Sequence, residues 1–162
     1  MPDMLVKLYE LPDFAGLLDE LRGAGVEIRP AFSFEKRIVG DWITAHFSAS
    51  WAAEAERGFA ATPVSTLVAV EDGILLGFGS YDCTALGFFG PTGVREDQRG
   101  RGLGTALLGA CLKAMWDKGY GYAVIGGAGP VEFYRKAVGA TVIEGSVPGI
   151  YRNLLKAQPL EV

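Results

Sequence analysis

Three stretches of the chain carry apolar residues at the three- and four-residue spacing of one helix face. The longest places Leu103, Leu107 and Cys111 along one side and ends near Gly119, a typical helix terminator. The predicted helices cover residues 12–22, 35–47, 103–118 and 131–136, with a second short helix or an irregular segment at 50–59.

Short apolar runs bounded by turn residues predict strands. They cover residues 5–8, 26–30, 64–71, 74–81, 86–94, 122–125 and 141–144. Asp72-Gly73 forms a hairpin turn between two of these runs, which makes that pair antiparallel. The strand at 122–125 follows the strand at 86–94 through a long helix, so we expect those two to be parallel with a right-handed crossover. For residues 150–156, a strand and a short helix fit the pattern equally well.

The strand at 86–94 is interrupted by Gly90, Pro91 and Gly93. Proline removes a donor from the hydrogen-bond ladder, and glycine inside a strand marks a bulge or a close approach of backbone. The pattern therefore predicts a bulge or a close approach of backbone in this strand.

A glycine-rich turn joins this strand to the long helix, with Gly100, Gly102 and Gly104 at alternate positions. Such a turn leaves backbone N–H groups uncovered, and the helix points its positive dipole end at them, which predicts a phosphate or pyrophosphate site. A P-loop is excluded because no Lys follows these glycines. A dinucleotide fingerprint is excluded because Thr105 stands three residues after Gly102.

Composition narrows the class of partner. The chain has 162 residues, is 49% hydrophobic, and carries a formal net charge of -4. This length suits one well-cored domain. The basic residues form no stripe, so we expect no nucleic acid as a partner. An acidic surface would tolerate cationic amine substrates.

Cysteine and histidine are too sparse for a metal centre. Cys83 and Cys111 lack metal-ligand spacing, and His46 is the one imidazole, so no zinc or other metal site is predicted. The same scarcity leaves Cys83 without a base to activate it as a nucleophile. No signal peptide or membrane-length apolar run is evident, so we expect no membrane partner and a cytoplasmic protein.

Two motifs resemble those of the GCN5-related N-acetyltransferase (GNAT) superfamily. The first is Arg99-x-x-Gly102-x-Gly104 after a strand that ends at Val94. In that superfamily the pattern is Arg/Gln-x-x-Gly-x-Gly/Ala, and its amides hold the pyrophosphate of acetyl-CoA. The second is Phe-Tyr-Arg-Lys at residues 133–136, which is similar to the Phe-Tyr-Glu-Lys element of the superfamily's C-terminal half.

The resemblance spans roughly residues 26–144 and implies a fold. That fold is α/β, a mixed and splayed central sheet flanked by helices, with acetyl-CoA between two diverging strands. Residues 1–25 are then interpreted as an N-terminal β-α extension packed on a GNAT domain at 26–162. The resemblance leaves the oligomeric state open, and homodimers are common in the superfamily.

The resemblance also implies which residues hold acetyl-CoA. The disturbed strand would grip the pantetheine arm and polarise the thioester carbonyl through backbone N–H groups. The glycine-rich loop would hold the pyrophosphate. Gly127 departs from the family, which usually has Asn there, and we expect its backbone to approach the cofactor. The predicted cofactor-binding residues are Thr92, Gly93, Val94, Arg99, Gly100, Arg101, Gly102, Leu103, Gly104, Thr105 and Gly127.

For catalysis, the family's tyrosine corresponds to Tyr134, which would protonate the departing thiolate. A phenol of pKa near 10 can do this without ionising at neutral pH. The base stays open among Asp82, Glu71 and His46, with Asp82 preferred because it follows the strand next to the bulge. His46 and Trp51 are the candidates for the wall that binds the acceptor.

Three functions fit these observations. The first is direct transfer of an acetyl group from acetyl-CoA to the primary amine of a small molecule. The second is an acetyl-CoA-binding sensor without turnover. The third is acetylation of a protein or peptide amine, which would need a peptide-length groove where the first needs a closed pocket.

Overall fold

The computed structural model describes residues 1–159 and contains seven strands and five α-helices within them. The strands are β1 (Met4–Lys7), β2 (Val26–Pro30), β3 (Thr66–Glu71), β4 (Ile74–Tyr81), β5 (Phe88–Val94), β6 (Tyr122–Ile125) and β7 (Thr141–Val142). The helices are α1 (Ala15–Gly23), α2 (Lys36–His46), α3 (Ala49–Glu56), α4 (Leu103–Lys118) and α5 (Val131–Val138).

All seven strands form one sheet in the order β2-β3-β4-β5-β6-β1-β7. β5 and β6 are parallel, and every other neighbouring pair whose register is resolved is antiparallel. The hairpin at Asp72-Gly73 and the parallel pairing across α4 are as predicted. The predicted mixed sheet flanked by helices is confirmed.

Helices cover both faces of this sheet. α1 and α4 pack on one face and bury Leu21, Leu107 and Met115 against β2 to β5. α2 and α3 pack on the other face, where Ile43 and Phe78 are fully buried. The sheet therefore holds a core on each side, and α4 lies directly against the strands that carry the candidate site.

β1 lies between β6 and β7, inside the sheet. Its Met4 and Val6 side chains have no exposed surface, while Leu5 is half-buried on the opposite face of the strand. The alternation of apolar residues predicts a strand here but not its neighbours, because pairing partners come from distant sequence. The segment interpreted as an extension thus supplies an interior strand. The end of the predicted 26–162 domain, residues 160–162, lies outside the described residues.

β5 and β6 diverge soon after they meet. They pair only at Phe88 with Val124 and at Phe89 with Ile125. Beyond these pairs β5 continues along β4, whereas β6 gives way to a glycine-rich turn. We call the space between residues 90–94 and residues 126–130 the cleft. The predicted splay of the sheet is this divergence.

The C-terminal part forms little regular structure. Residues 150–156, left open between strand and helix, contain the end of a short 3-10 turn, Gly149–Tyr151, and continue without helix or strand. The last predicted strand is reduced to Thr141–Val142. No helix within residues 1–159 is long and apolar enough to cross a membrane.

Candidate functional site

One end of the cleft is formed by the start of α4. Gly102 is the N-cap residue and adopts φ +83°, a left-handed conformation that favours glycine. The first hydrogen bond of the helix runs from the Ala106 N–H to the Gly102 carbonyl at 2.9 Å. Gly102 has no side chain with which to cap the helix. No side chain therefore caps the N–H groups of Leu103, Gly104 and Thr105 in the first turn of α4.

Two arginines of the loop differ in their surroundings. Arg99 is exposed. Arg101 donates to the Glu71 carboxylate at 2.9 Å and to Gln98 Oε1 at 2.6 Å. The hydrogen bond from Arg101 lowers the pKa of Glu71 and holds that carboxylate at the loop. Because Glu71 is paired with Arg101 and its pKa is lowered, its carboxylate is poorly suited to act as a base.

The backbone of β5 has the irregularity that its glycines and proline predict. Gly79 faces Thr92 and Tyr81 faces Phe89, so a single residue of β4 opposes both Gly90 and Pro91. This register shift is a β-bulge at the point where the cleft opens.

Beyond the bulge, β5 presents backbone groups to the cleft. The Arg95 N–H donates to the Leu76 carbonyl of β4 at 2.9 Å. Because N–H directions alternate along a strand, those of Thr92 and Val94 point away from β4. Gly93 donates towards β4 instead, and a Cβ on it would overlap the ring of Phe47. Thr92 and Val94 are therefore the residues of this trio whose amides face the cleft.

The other end of the cleft is a cavity of about 410 Å³. Its walls come from α3, the turn after β4, the bulge, the turn after β6 and the C-terminal segment. The lining residues are Met1, Trp51, Glu54, Thr84, Phe89, Gly90, Pro91, Gly126, Gly127, Val147, Pro148 and Tyr151. At a rise of about 3.3 Å per residue, the stretch of β5 from this cavity to the loop is about 13 Å long.

The α3 wall of the cavity is positioned by two hydrogen bonds. Ser48 Oγ accepts from the Trp51 N–H at 3.1 Å and caps the helix. Farther along, the buried Thr66 Oγ1 donates to the Ala55 carbonyl at 2.8 Å and fixes the helix to β3. Trp51 and Glu54 are three residues apart and share one face of α3. Both therefore project into the cavity.

Trp51 and His46 were predicted together as acceptor residues, and the structure separates them. Trp51 lines the cavity and stacks on Phe47 with ring centroids 5.3 Å apart. His46 is exposed at the end of α2 and lies against Trp42, at 4.6 Å between centroids, away from the cavity lining. The two rings are tilted by 42° to each other, and the imidazole thus packs against its own helix.

Gly127 lies in the cavity wall at φ +53°. Its N–H donates to the buried Asp3 carboxylate at 2.8 Å, so this amide is already used within the protein. The neighbouring Gly126 leaves room for the Tyr151 phenol, since a Cβ there would overlap that oxygen. The glycines of this turn thus allow the C-terminal segment to cover the cavity.

Tyr134 lies near the point where β5 and β6 diverge, after the pair Phe89 and Ile125, which we call the vertex of the cleft. It is 6% exposed, and its ring is 6.4 Å from that of Phe89, which lines the cavity. Burial raises the pKa of Tyr134 to about 12. Within residues 1–159 its hydroxyl has no hydrogen-bond partner, so the group is protonated at neutral pH and available to donate.

Asp82 is held on the α4 side, away from the cleft. Its carboxylate accepts from the Gly87 N–H at 2.7 Å and from Lys118 Nζ at 2.6 Å. The hydrogen bond raises the pKa of Lys118. The sequence places Asp82 beside the bulge but does not show that Lys118, 36 residues later, reaches it. Both of its oxygens are used to stabilise the turn after β4, which does not suit Asp82 to the role of base.

The variant Asp82→Asn tests this structural role. Asparagine also tolerates the left-handed φ of +57° and keeps an acceptor for Gly87, but loses the charge that faces Lys118. Because Lys118 is half exposed, we expect a cost of about 1 kcal/mol and a melting temperature lower by about 2–4 °C. The turnover rate should change by less than about twofold. A tenfold slower rate at an unchanged melting temperature would return Asp82 to the reaction.

Cysteine chemistry and metal binding find no support in the described part of the chain. Cys83 and Cys111 are both buried and free, and burial raises the pKa of each thiol. Neither is thus activated as a nucleophile. Across residues 1–159, no group of three His, Cys, Asp or Glu side chains is placed to hold a metal ion.

Sequence reasoning missed three polar residues of the cavity, namely Glu54, Thr84 and Tyr151. Thr84 Oγ1 donates to Glu54 Oε1 across 30 positions of sequence. Tyr151 belongs to a segment whose structure the sequence left open. A signal existed for Glu54 alone, since it lies one helical turn after the predicted Trp51.

Solved structures share this fold. A glucosamine N-acetyltransferase region of a fungal multi-domain GH3 β-N-acetylglucosaminidase superposes with a TM-score of 0.71 at 12% identity, covering 88% of this chain and 19% of that one. A GCN5-related N-acetyltransferase from Sphaerobacter thermophilus superposes with a TM-score of 0.61 at 21% identity, covering 88% of this chain and 48% of that one. A GNAT family acetyltransferase from Brucella melitensis in complex with acetyl-CoA superposes with a TM-score of 0.55 at 22% identity, covering 68% of this chain and 80% of that one. The chain spans less than half of the first two proteins, and at these identities the likeness establishes the fold.

Comparison of the amino-acid sequence with family models identifies the family of this chain. No curated protein sequence matches the chain. Residues 28–140 match the model of the acetyltransferase (GNAT) family. This match covers more than half of the chain and includes the bulged strand, the loop and Tyr134. The chain therefore belongs to the acetyltransferase (GNAT) family.

Proposed function

We propose that this protein transfers the acetyl group of acetyl-CoA directly to the primary amine of a small molecule. The observation that carries the proposal is the pairing of two features at opposite ends of one cleft. Uncapped N–H groups at the start of α4 suit a pyrophosphate, and a cavity of about 410 Å³ suits a small acceptor. The N–H groups of Thr92 and Val94 lie between them and suit a polar arm.

The remaining cofactor residues follow from this orientation. Gly100, with φ +83°, lets the loop turn towards α4, and Arg99 is free to approach a phosphate. Arg101 supports the loop through Glu71 and Gln98 rather than by direct contact. The Gly127 amide is bonded to Asp3, so this residue would contact the cofactor through other backbone atoms.

The chemistry balances with a tyrosine as acid. The neutral amine nitrogen forms a bond to the thioester carbonyl carbon, and the C–S bond then breaks. Tyr134 donates its proton to the thiolate and regains one from the nitrogen. The proton that the ammonium loses before attack leaves to solvent, so one proton is released for each acetyl group transferred.

Calorimetric titration with acetyl-CoA and with CoA, followed by thiol-release assays on a panel of amines, tests the proposal. We expect saturable binding of both cofactors and release of CoA thiol with at least one small amine. Binding without thiol release for any amine or peptide would indicate a sensor module. Release with peptides alone would indicate a protein acetyltransferase. No binding at millimolar cofactor would refute the proposed use of the cleft.

Tyr134→Phe should slow turnover by about 100-fold or more, because it removes the acid while keeping the buried ring. The cofactor dissociation constant should change by less than about twofold. With a pKa of about 12, Tyr134 stays protonated throughout pH 7–10, so the loss should be constant across that range.

Tyr151→Phe is the matched control, since it removes the other phenol near the cleft vertex. Burial and the nearby Asp3 and Glu54 carboxylates raise the pKa of Tyr151 as well. A larger loss of turnover for Tyr151→Phe than for Tyr134→Phe would assign the acid to Tyr151.

A further inference from the structure

The chemistry of the cavity is markedly uneven. Trp51, Phe89, Pro148 and Tyr151 supply apolar and aromatic walls. Among the lining residues within 1–159, Glu54 is the one charged side chain, and no Lys, Arg or His takes part. A ligand of this cavity therefore meets aromatic surface together with a single charged side chain, the Glu54 carboxylate.

Glu54 is held in place without being neutralised. Its carboxylate accepts a hydrogen bond from the Thr84 hydroxyl, which fixes its orientation but leaves its charge intact. Within the described residues, no cation lies within ion-pair distance of it. Glu56, two residues later on α3, is by contrast paired with Lys36 at 2.7 Å on the outer surface. The guanidinium of Arg57, three residues later, donates to the Cys83 carbonyl at 3.4 Å and makes no ion pair with Glu54. Glu54 is thus a positioned carboxylate, without an ion-pair partner among the described residues, in a partly buried cavity.

Such a carboxylate selects ligands by charge. A primary amine is an ammonium ion at neutral pH, and a hydrogen bond between charged groups is stronger than a neutral one. A carboxylate or phosphate on the same ligand would face Glu54 with no cationic side chain in the lining to compensate it, which is unfavourable in a partly desolvated site. Aromatic walls add cation-π attraction and apolar contact.

We propose that Glu54 binds the ammonium group of the acceptor, and that the acceptor is a monoamine with an apolar or aromatic body and no carboxylate or phosphate. This inference rests on the proposed function and specifies its substrate class. The ammonium lies between Glu54 and the bulge at Gly90, and the body of the molecule packs against Trp51 and Tyr151. After the ammonium loses a proton to solvent, its nitrogen lies in the cavity that Phe89 lines, next to the point where β5 and β6 diverge.

The test compares 2-phenylethylamine with phenylalanine, which differ by one carboxylate. For the unaltered protein we expect kcat/KM to be at least about 100-fold higher for 2-phenylethylamine. Glu54→Gln keeps the shape and an acceptor for Thr84 but removes the charge. It should raise the KM for 2-phenylethylamine by about 10- to 100-fold and reduce the preference over phenylalanine, with the acetyl-CoA dissociation constant unchanged.

Glu56→Gln is the matched control, one charge lost from the same helix outside the cavity, and should leave both KM values unchanged. Equal KM values in the Glu54→Gln and unaltered proteins, or a preference for phenylalanine, would overturn the inference while leaving acetyl transfer intact.

Failure of the proposed function is recognised separately, as no thiol release from any amine. Calorimetric titration of the CoA complex with 2-phenylethylamine then decides the inference. Binding that Glu54→Gln weakens supports it, and absence of binding overturns it.

Discussion

Acetyl-CoA binding is expected to weaken by at least about 100-fold when Gly104 is replaced by Glu, with little change in stability. Gly104 is the second residue of α4, and a Cβ there would meet only Val94 Cγ2, at 3.8 Å. A carboxylate in the first turn of a helix usually stabilises it by a few tenths of a kcal/mol. The same carboxylate would occupy the place proposed for the pyrophosphate and repel it.

Gly104→Ala is the control, because the superfamily pattern allows alanine at this position and the side chain fits. We expect its cofactor affinity to stay within about tenfold of the unaltered protein, and circular dichroism should show both variants folded. Gly102 is less suitable, since its φ of +83° and the Leu17 side chain 3.1 Å from a Cβ would strain any replacement. Micromolar binding by Gly104→Glu would remove the phosphate site from the start of α4.

A chain lacking residues 1–25 is expected not to fold. The deletion removes β1 from between β6 and β7, together with the fully buried Met4 and Val6 and the nearly buried Leu8 and Leu21. Each such side chain contributes about 1.5–3 kcal/mol by burial, and proteins of this size are stable by about 5–15 kcal/mol in total. The loss is therefore comparable with the whole stability. Circular dichroism and thermal unfolding of the truncated chain provide the measurement.

A pair of point variants separates the role of β1 from general effects of truncation. Met4→Ala should cost about 2–5 kcal/mol, because it leaves a cavity in the core. Leu5→Ala, on the half-exposed face of the same strand, should cost clearly less. A truncated chain that unfolds cooperatively and binds acetyl-CoA would show that residues 1–25 are an appendage.

How well each element was predicted depends on how local its signals are. The bounds predicted for α4, residues 103–118, are those observed, because Gly102 and Gly119 both adopt positive φ and mark its ends. The hairpin after β3 and the bulge in β5 were likewise predicted from residues inside them. The C-terminal segment was not, since it has no periodicity and is held by distant contacts such as that of Tyr151 with Gly126.

In the candidate site, too, local features could be predicted from the sequence and features that depend on distant contacts could not. The glycine-rich loop is a property of one short stretch, so its place at the start of α4 could be predicted from the sequence, and its role in holding an anion stays a prediction. The surroundings of the preferred base could not be predicted in this way, because Lys118, which donates to Asp82 at 2.6 Å, lies 36 positions later. Predicting which of several carboxylates is free requires knowing the partner of each.

By itself, the sequence determined the helices and most strands, the glycine loop, the disturbed strand and the family, because these depend on periodicity, turn chemistry and motif order. The tertiary structure decided the neighbours of β1 and which of Trp51, His46, Asp82 and Glu54 reach the cavity. Strand neighbours and cavity walls are contacts between segments far apart in sequence, and packing selects them only when the whole chain folds.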